Sequence, residues 1–153
     1  MVMDADAVAA YEKYADEVVR FASAVVGPSS AEDVAATVMA RVLYGSSWRS
    51  VANLRAYLFT AVTNEARSQH RATRRRWARE SADARSGTVS DAFVRAEVID
   101  AVRTLSVRQR AVVYLTYWIG ATSDEVASDL GVSVRTVERE LTTARRRLEV
   151  LLR

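Results

Sequence analysis

Apolar residues recur at helical spacing along almost the whole chain, and this periodicity constrains the fold more than any other feature. The first stripe spans residues 8–25 and ends at Gly27 and Pro28, while strand-like alternation of apolar and polar residues is almost absent. Repeats of three and four residues place apolar side chains on one face of a helix. The sequence therefore predicts an all-α fold.

Residues that cap helices mark where most of the later elements begin. Ser and Thr followed three residues later by an acidic or amide side chain form a capping box at a helix N-terminus. A further long helix is expected to start near Asn53. The buried apolar stripes of the predicted helices are expected to include Tyr57, Tyr114 and Trp118. The predicted N-caps are Ser30, Ser106, Thr122 and Ser133.

A small, polar segment at residues 81–90 separates two groups of predicted helices. This segment contains Gly87 and lacks large apolar side chains, as is typical of linkers. The chain is 153 residues long, which is enough for two small domains. We therefore expect one helical domain over residues 1–80 and a second over residues 91–153.

Positive charge is concentrated at the end of the first predicted domain. The net charge of the chain is only +3, but residues 54–80 carry seven arginines against Glu65 and Glu80. Such a concentrated basic stripe indicates a polyanionic partner. A GC-rich genome can also raise arginine content, although it does not explain the clustering. The cluster comprises Arg67, Arg71, Arg74, Arg75, Arg76 and Arg79.

The last two predicted helices have the spacing of a helix-turn-helix. Ala127 permits close helix packing, Gly131 makes the turn four residues later, and Val137 packs back onto the first helix. The opposite side of the second helix is polar and can enter a major groove. An ordinary helical hairpin with a solvated charged face is the alternative. The polar side chains are Arg135, Glu138, Arg139, Thr142 and Arg146.

Several functional classes lack support in the sequence. There is no cysteine and a single histidine, no glycine-rich phosphate loop and no metal-ligand spacing. We therefore expect neither an enzyme nor a bound cofactor or metal. No apolar run approaches the roughly 20 residues of a membrane span. The N-terminal stretch is acidic where a secretory signal is basic, so a cytoplasmic protein is expected.

The order of these segments resembles the sigma factors of bacterial RNA polymerase of the extracytoplasmic-function type, which consist of sigma regions 2 and 4. The resemblance extends over residues 8–80 and 93–152. Its most specific parts are Glu32, Asp33 and Val34, the segment NLRAYLF at 53–59, Asn64, and residues 105–148.

This resemblance implies a subunit that binds core RNA polymerase and directs promoter-specific initiation. Region 2 would dock on the polymerase clamp helices and melt the −10 element, while region 4 would dock on the flap tip and read the −35 element. An anti-sigma factor is a further possible partner. The implied core-docking residues are Glu32, Asp33, Ala36, Thr37, Met39, Ala40 and Arg41. The implied −10 residues are Trp48, Arg49, Asn53, Tyr57, Asn64, Arg67, Arg71, Arg74 and Arg75. The implied −35 residues are Ser133, Arg135, Thr136, Glu138, Arg139, Thr142 and Arg146.

The chain departs from the family pattern at several of these positions. Ala36 and Thr37 stand where a Gln-Glu pair is usual, Leu43 replaces an aromatic residue, and Ser68 replaces an acidic one. The sequence of the promoter therefore cannot be carried over from relatives. Trp48 could instead close a loop over the core. Two other functions stay open: a dimeric helix-turn-helix regulator that acts without polymerase, and a sigma-like adaptor that titrates an anti-sigma factor.

Overall fold

Helices make up the regular structure of the part of the chain that the computed structural model describes, residues 2–69 and 91–153, with side chains from residue 97 in the second part. Arg71, Arg74, Arg75 and the predicted linker at 81–90 lie outside these residues. A short 3₁₀ turn spans Ser47–Ser50. The helices are α1 (Ala5–Val26), α2 (Pro28–Tyr44), α3 (Leu54–Ser68), α4 (Asp91–Arg103), α5 (Val107–Val113), α6 (Ser123–Leu130) and α7 (Val134–Leu151). The all-α prediction is confirmed there.

The first three helices pack around two aromatic rings. Phe21 of α1 and Phe59 of α3 are stacked, with ring centroids 4.2 Å apart and an angle of 11° between the planes. Met39 of α2 is buried in the same core. The predicted stripe of α1 is wrong near its N-terminus, where Val8 and Tyr11 are exposed. Ala7 and Ala10 face the core there instead.

The junction between α1 and α2 differs from its prediction. Gly27 adopts φ 89°, and α2 begins immediately afterwards at Pro28, which occupies the first turn. A proline fits there because its missing N–H has no partner within the helix. Ser30 is consequently buried inside the helix and does not cap it. The capping boxes predicted for Ser106 with Gln109 and for Thr122 with Glu125 are confirmed.

A π-helical turn follows α5 and changes the direction of the next side chains. It spans Tyr114–Trp118, and the N–H of Ile119 donates to the carbonyl of Tyr114 at 3.1 Å. One extra residue in a turn rotates everything after it around the helix axis. Trp118 is therefore 79% exposed, and its predicted place in the core is wrong. Tyr114 is half-buried, with its ring centroid 6.0 Å from that of Phe21, and burial raises the pKa of its hydroxyl.

The helices on the two sides of the predicted linker share one core. Val107, Val112 and Leu115 belong to the same buried cluster as Val25 of α1. Arg110 is also buried, and its Nη1 donates to the carbonyl oxygen of Val25 at 2.8 Å. That carbonyl lies at the C-terminal end of α1, where the helix dipole favours a cation. The two groups of helices thus pack directly on each other.

Candidate nucleic-acid interface

The predicted helix-turn-helix is present in α6 and α7. The hydroxyl of Thr122 accepts from the N–H of Glu125 at 3.2 Å and starts α6. Gly131 ends it in the left-handed conformation, with φ 66°, which costs glycine little. The hydroxyl of Ser133 then accepts from the N–H of Thr136 at 3.1 Å and starts α7. Ser133 therefore serves as the predicted cap.

The polar residues predicted on α7 form one exposed face, opposite a buried one. Val137, Leu141 and Ala144 are buried against the rest of the domain. Arg139 lies close to Glu140, with a nitrogen–oxygen distance of 3.8 Å, and its side chain is 66% exposed. Thr136 is half-buried and lies between the exposed side and the buried side of α7. The α7 face, as we call it, consists of Ser133, Arg135, Glu138, Arg139, Thr142 and Arg146, all exposed.

A polar network fixes α7 to α5. The amide nitrogen of Gln109 donates to Glu140 at 3.0 Å, and its amide oxygen accepts from Arg147 at 3.3 Å. Arg147 also donates to the carbonyl of Thr104 at 3.2 Å. These bonds hold the helix at a set rotation. The arginines of the α7 face can therefore reach guanine edges from a rigid element, as bidentate recognition requires.

Four residues expected at the −10 element lie together on α3. Asn53, Tyr57, Asn64 and Arg67 are all exposed. Their separations of four, seven and three residues keep them on one side of a helix that turns about 100° per residue. We call this group the α3 face. Tyr57 is 43% exposed, so its expected core position is wrong. The amide oxygen of Asn53 also caps α3, accepting from the N–H of Ala56 at 3.1 Å.

Trp48 and Arg49 lie in the 3₁₀ turn before α3. Trp48 is half-buried and packs against the core. This position agrees with the alternative prediction, in which Trp48 closes the loop over the core and does not stack on a base. The guanidinium of Arg49 lies 4.6 Å from the Trp48 ring centroid and pairs with Asp4. Asp4 caps α1, and a hydrogen bond from Ala7 lowers the pKa of its carboxyl. One ring face of Trp48 is thus covered by Arg49.

The residues expected to dock on polymerase lie along α2, with one exception. Met39 is 2% exposed, so it belongs to the core and not to a docking surface. It shares the inward side of α2 with Ala35 and Val38. Arg41 pairs with Glu65 of α3 at 3.2 Å and remains largely exposed. The α2 face consists of the exposed residues Glu32, Asp33, Ala36, Thr37, Ala40 and Arg41.

A charged contact between the two groups of helices has no counterpart in the sequence-based predictions. Nη1 of Arg55 lies 2.7 Å from a carboxylate oxygen of Asp129, and Nε of Arg55 pairs with Glu17. Burial lowers the pKa of Arg55, but its hydrogen bonds to Glu17 and Asp129 outweigh this and raise it. The one sign of this contact in the sequence is that an arginine stands between Leu54 and Ala56 in an otherwise apolar segment.

Within residues 2–69 and 91–153, no cluster of three or more acidic or histidine side chains is placed to hold a metal ion. In the same part of the chain, no helix has the length and apolar character needed to cross a membrane. The features described above are exposed polar and aromatic faces on rigid helices. Their chemistry suits binding to nucleic acid and protein surfaces.

Comparisons with known proteins match both groups of helices. Residues 10–76 match the Sigma-70 region 2 family, and residues 95–148 match the Sigma-70, region 4 family. The ECF RNA polymerase sigma factor SigL of Mycobacterium tuberculosis is 32% identical over 158 aligned residues, which cover 94% of this chain and 87% of that protein. RNA polymerase sigma-E factor of Streptomyces antibioticus is 33% identical over 138 residues, covering 81% and 71% respectively.

A solved structure has a similar fold. It contains the sigma factor RpoE from Bartonella quintana in complex with the anti-sigma factor NepR. The TM-score is 0.66, the sequence identity is 23%, and the match covers 96% of each chain.

Proposed function

This chain belongs to the extracytoplasmic-function (ECF) sigma factors of RNA polymerase, and from that premise we propose that it binds core polymerase and directs it to specific promoters. The polymerase carries the chemistry of RNA synthesis, and this chain acts as a non-catalytic subunit in the cytoplasm. The observation that carries the proposal is the presence of both sigma regions in one chain, each with an exposed polar face.

The α7 face reads the upstream, −35 element as duplex DNA. Arg135 and Arg139 can each pair with the two acceptors of a guanine, and Glu138 can accept from a cytosine amine. Ser133 and Thr136, at the start of the helix, lie where a recognition helix approaches the groove. The support for this role is the exposure of Ser133, Arg135, Glu138 and Arg139 on a helix that Gln109 fixes.

The α3 face captures the −10 element once its strands separate. Unpaired bases are held by aromatic stacking and by hydrogen bonds to their edges. Tyr57 supplies an exposed ring, while Asn53 and Asn64 supply amide groups on the same side. Arg67 starts the basic cluster, whose further members Arg71, Arg74 and Arg75 would neutralise backbone phosphates.

The α2 face is the docking surface for the polymerase clamp. Its exposed carboxylates, Glu32 and Asp33, and its exposed Arg41 provide charged groups that can set the orientation of a partner. Ala36 and Thr37 lie at its centre and make that part less polar than is usual in the family. We expect the charged ends of the face to contribute more of the binding energy.

An anti-sigma factor is proposed as a regulatory partner. The solved structure with a similar fold is a sigma factor bound to an anti-sigma factor. A partner of this kind would control how much of this chain is available to the polymerase.

Transcription with purified core polymerase tests the proposal. Fragmented genomic DNA of the source organism is transcribed by core polymerase with and without this chain, and the 5′ ends of the RNA are mapped. We expect a new set of start sites that share two upstream motifs at a fixed spacing. Tight binding of the chain alone to promoter duplex, with no new start sites, would favour a regulator that acts without polymerase.

A further inference from the structure

Three large apolar side chains are exposed close together on two neighbouring elements. They are Val98 and Ile99 of α4 and Trp118 of the π-helical turn. Exposed apolar patches on a folded chain are typical of surfaces that bind a ligand or a partner. The α2, α3 and α7 faces do not include these residues. The proposed contacts with DNA and with the polymerase clamp therefore give no reason for their exposure.

The three side chains line a groove between α1 and α4, which we call the α1–α4 groove. Its volume is about 490 Å³, within the range of about 300–1,000 Å³ that is usual for small-molecule sites. Ala24 of α1 and Val102 of α4 add apolar surface to the lining. The half-buried ring of Tyr114 also lines the groove. Its size and lining therefore suit the apolar body of a small molecule.

The charged side chains that line the groove are both arginines. They are Arg20 and Arg103, and no carboxylate occurs among the described residues of the lining. Arg103 is paired with Asp100 at 2.9 Å, so its charge is largely compensated. Arg20 is exposed, and its charge acts on the hydroxyl of Tyr114, where burial raises the pKa and Arg20 opposes that rise. Arg20 thus supplies the positive charge that a ligand in the groove would meet.

The backbone contributes little net charge at this place. The end of α1 and the start of α2 meet at Gly27 and Pro28, which both line the groove. The C-terminal end of one helix dipole therefore lies next to the N-terminal end of another, and their fields largely cancel. The electrostatic preference of the groove is accordingly set by Arg20.

We propose that the α1–α4 groove binds a small aromatic carboxylate. The ring system lies against Ile99 and Trp118, and the carboxylate lies at Arg20. Aromatic rings gain from packing on other rings beyond the burial of their area, and an arginine fork suits a carboxylate. Such binding needs neither polymerase nor DNA, so this site does not depend on the proposed function.

A pair of ligands with the same shape and different charge tests the site. The probes are 2-naphthoate and its neutral analogue 2-naphthamide, each titrated into the ¹⁵N-labelled full chain and followed by NMR. We expect the indole N–H resonance of Trp118 to move and that of Trp48 to stay in place. The dissociation constant for naphthoate should be about 1 mM, as is usual for a ligand of this size. Because an exposed ion pair contributes up to about fivefold in affinity, naphthamide should bind up to about fivefold more weakly.

Arg20→Gln tests the position of the carboxylate. It should weaken the binding of naphthoate until its affinity equals that of naphthamide, while the affinity for naphthamide stays unchanged. Lys13→Gln is the matched control, since Lys13 is also exposed on α1 but lies outside the groove. An equal loss in Lys13→Gln would overturn the proposal, because the preference would then come from the overall charge of the protein.

Trp118→Ala tests the position of the ring system. It should weaken the binding of both probes about two- to tenfold, measured at the backbone amide of Ile99. Tyr117→Ala, which removes an exposed ring that does not line the groove, should leave both affinities unchanged. No binding of either probe, or unchanged binding in Trp118→Ala, would overturn the site. Equal affinities of the two probes for the unmodified protein would overturn the carboxylate ligand and favour an apolar segment of a partner protein as the occupant.

Discussion

Replacing Arg139 by alanine is expected to change base preference without changing the fold. The Arg139 side chain is 66% exposed, and its nearest ion-pair contact, to Glu140, spans 3.8 Å. Exposed ion pairs contribute at most about 1 kcal/mol, and exposed substitutions of this kind usually change stability by less than about 0.5 kcal/mol. The expected shift in the urea midpoint is therefore close to zero.

The expected effect on recognition is much larger. A bidentate arginine–guanine pair discriminates against other bases by about 1–3 kcal/mol, which is about 5- to 150-fold in affinity. Arg139→Ala should therefore lower the affinity for the matched −35 element by a factor in this range. It should have little effect on an element that already carries a substitution at the contacted base pair.

Binding of reconstituted holoenzyme to labelled promoter fragments provides the assay. The fragments carry either the matched −35 element or one substituted base pair at each position. Arg145→Ala is the matched control, since Arg145 is exposed on the same helix but contacts Tyr117 away from the α7 face. A uniform loss of affinity in Arg139→Ala, with no change in base preference, would mean that α7 does not lie in the groove as proposed.

Four other outcomes are expected. Neutralising Arg74 and Arg75 should weaken binding almost equally for all sequences, and a salt titration should show a slope reduced by about one unit per lost phosphate contact. Phe59→Ala should destabilise the protein by about 3–5 kcal/mol because it removes a buried ring stacked on Phe21. Tyr57→Ala should leave the urea midpoint nearly unchanged but impair strand opening. Similar destabilisation by both variants would contradict the exposed position of Tyr57. Because burial raises the pKa of Tyr114 above its ordinary value of 10.0, the folded state favours the neutral ring. The contribution of Tyr114 to stability should therefore be complete below pH 10 and be lost as the pH rises through the raised pKa, so urea titrations should show a smaller alkaline loss of stability in Tyr114→Phe. Limited trypsin digestion should cut near Arg85. The two fragments should then co-elute in size-exclusion chromatography because Arg110 and the shared core join them. Resistance to trypsin at Arg85 would contradict the predicted linker.

Features encoded by a few neighbouring residues could be predicted from the sequence. The caps at Ser106, Thr122 and Ser133 depend on a side chain and an N–H three residues away. The turn at Gly131 depends on one residue that tolerates a positive φ. Because these signals are local, the order of residues is enough to identify the helix-turn-helix and its exposed face.

Positions that depend on packing could not be predicted in the same way. Tyr57 lies next to Leu58, and helical periodicity alone does not decide which of two neighbours faces inward. Met39 lies among residues expected to dock on polymerase, yet it is part of the core. The exposure of Trp118 depends on a π-helical turn that no simple residue pattern marks.

Long-range contacts leave no signal in the sequence that identifies the partner residue. Arg55 and Asp129 are separated by 74 residues in sequence, and neither belongs to a motif that implies a partner. The side chain of Arg110 reaches Val25 across 85 residues. Only the three-dimensional packing of α1 and α3 against α5 and α6 brings these groups together.

Strand opening at a promoter identified by 5′-end mapping tests the central claim most directly. The duplex carries the fluorescent base 2-aminopurine in the −10 element, where loss of stacking increases its emission. We expect the emission to rise when core polymerase and this chain are both present, and to stay at the duplex level with either one alone. An equal rise with the chain alone, or no rise with both, would contradict a sigma factor that opens promoters as part of the polymerase.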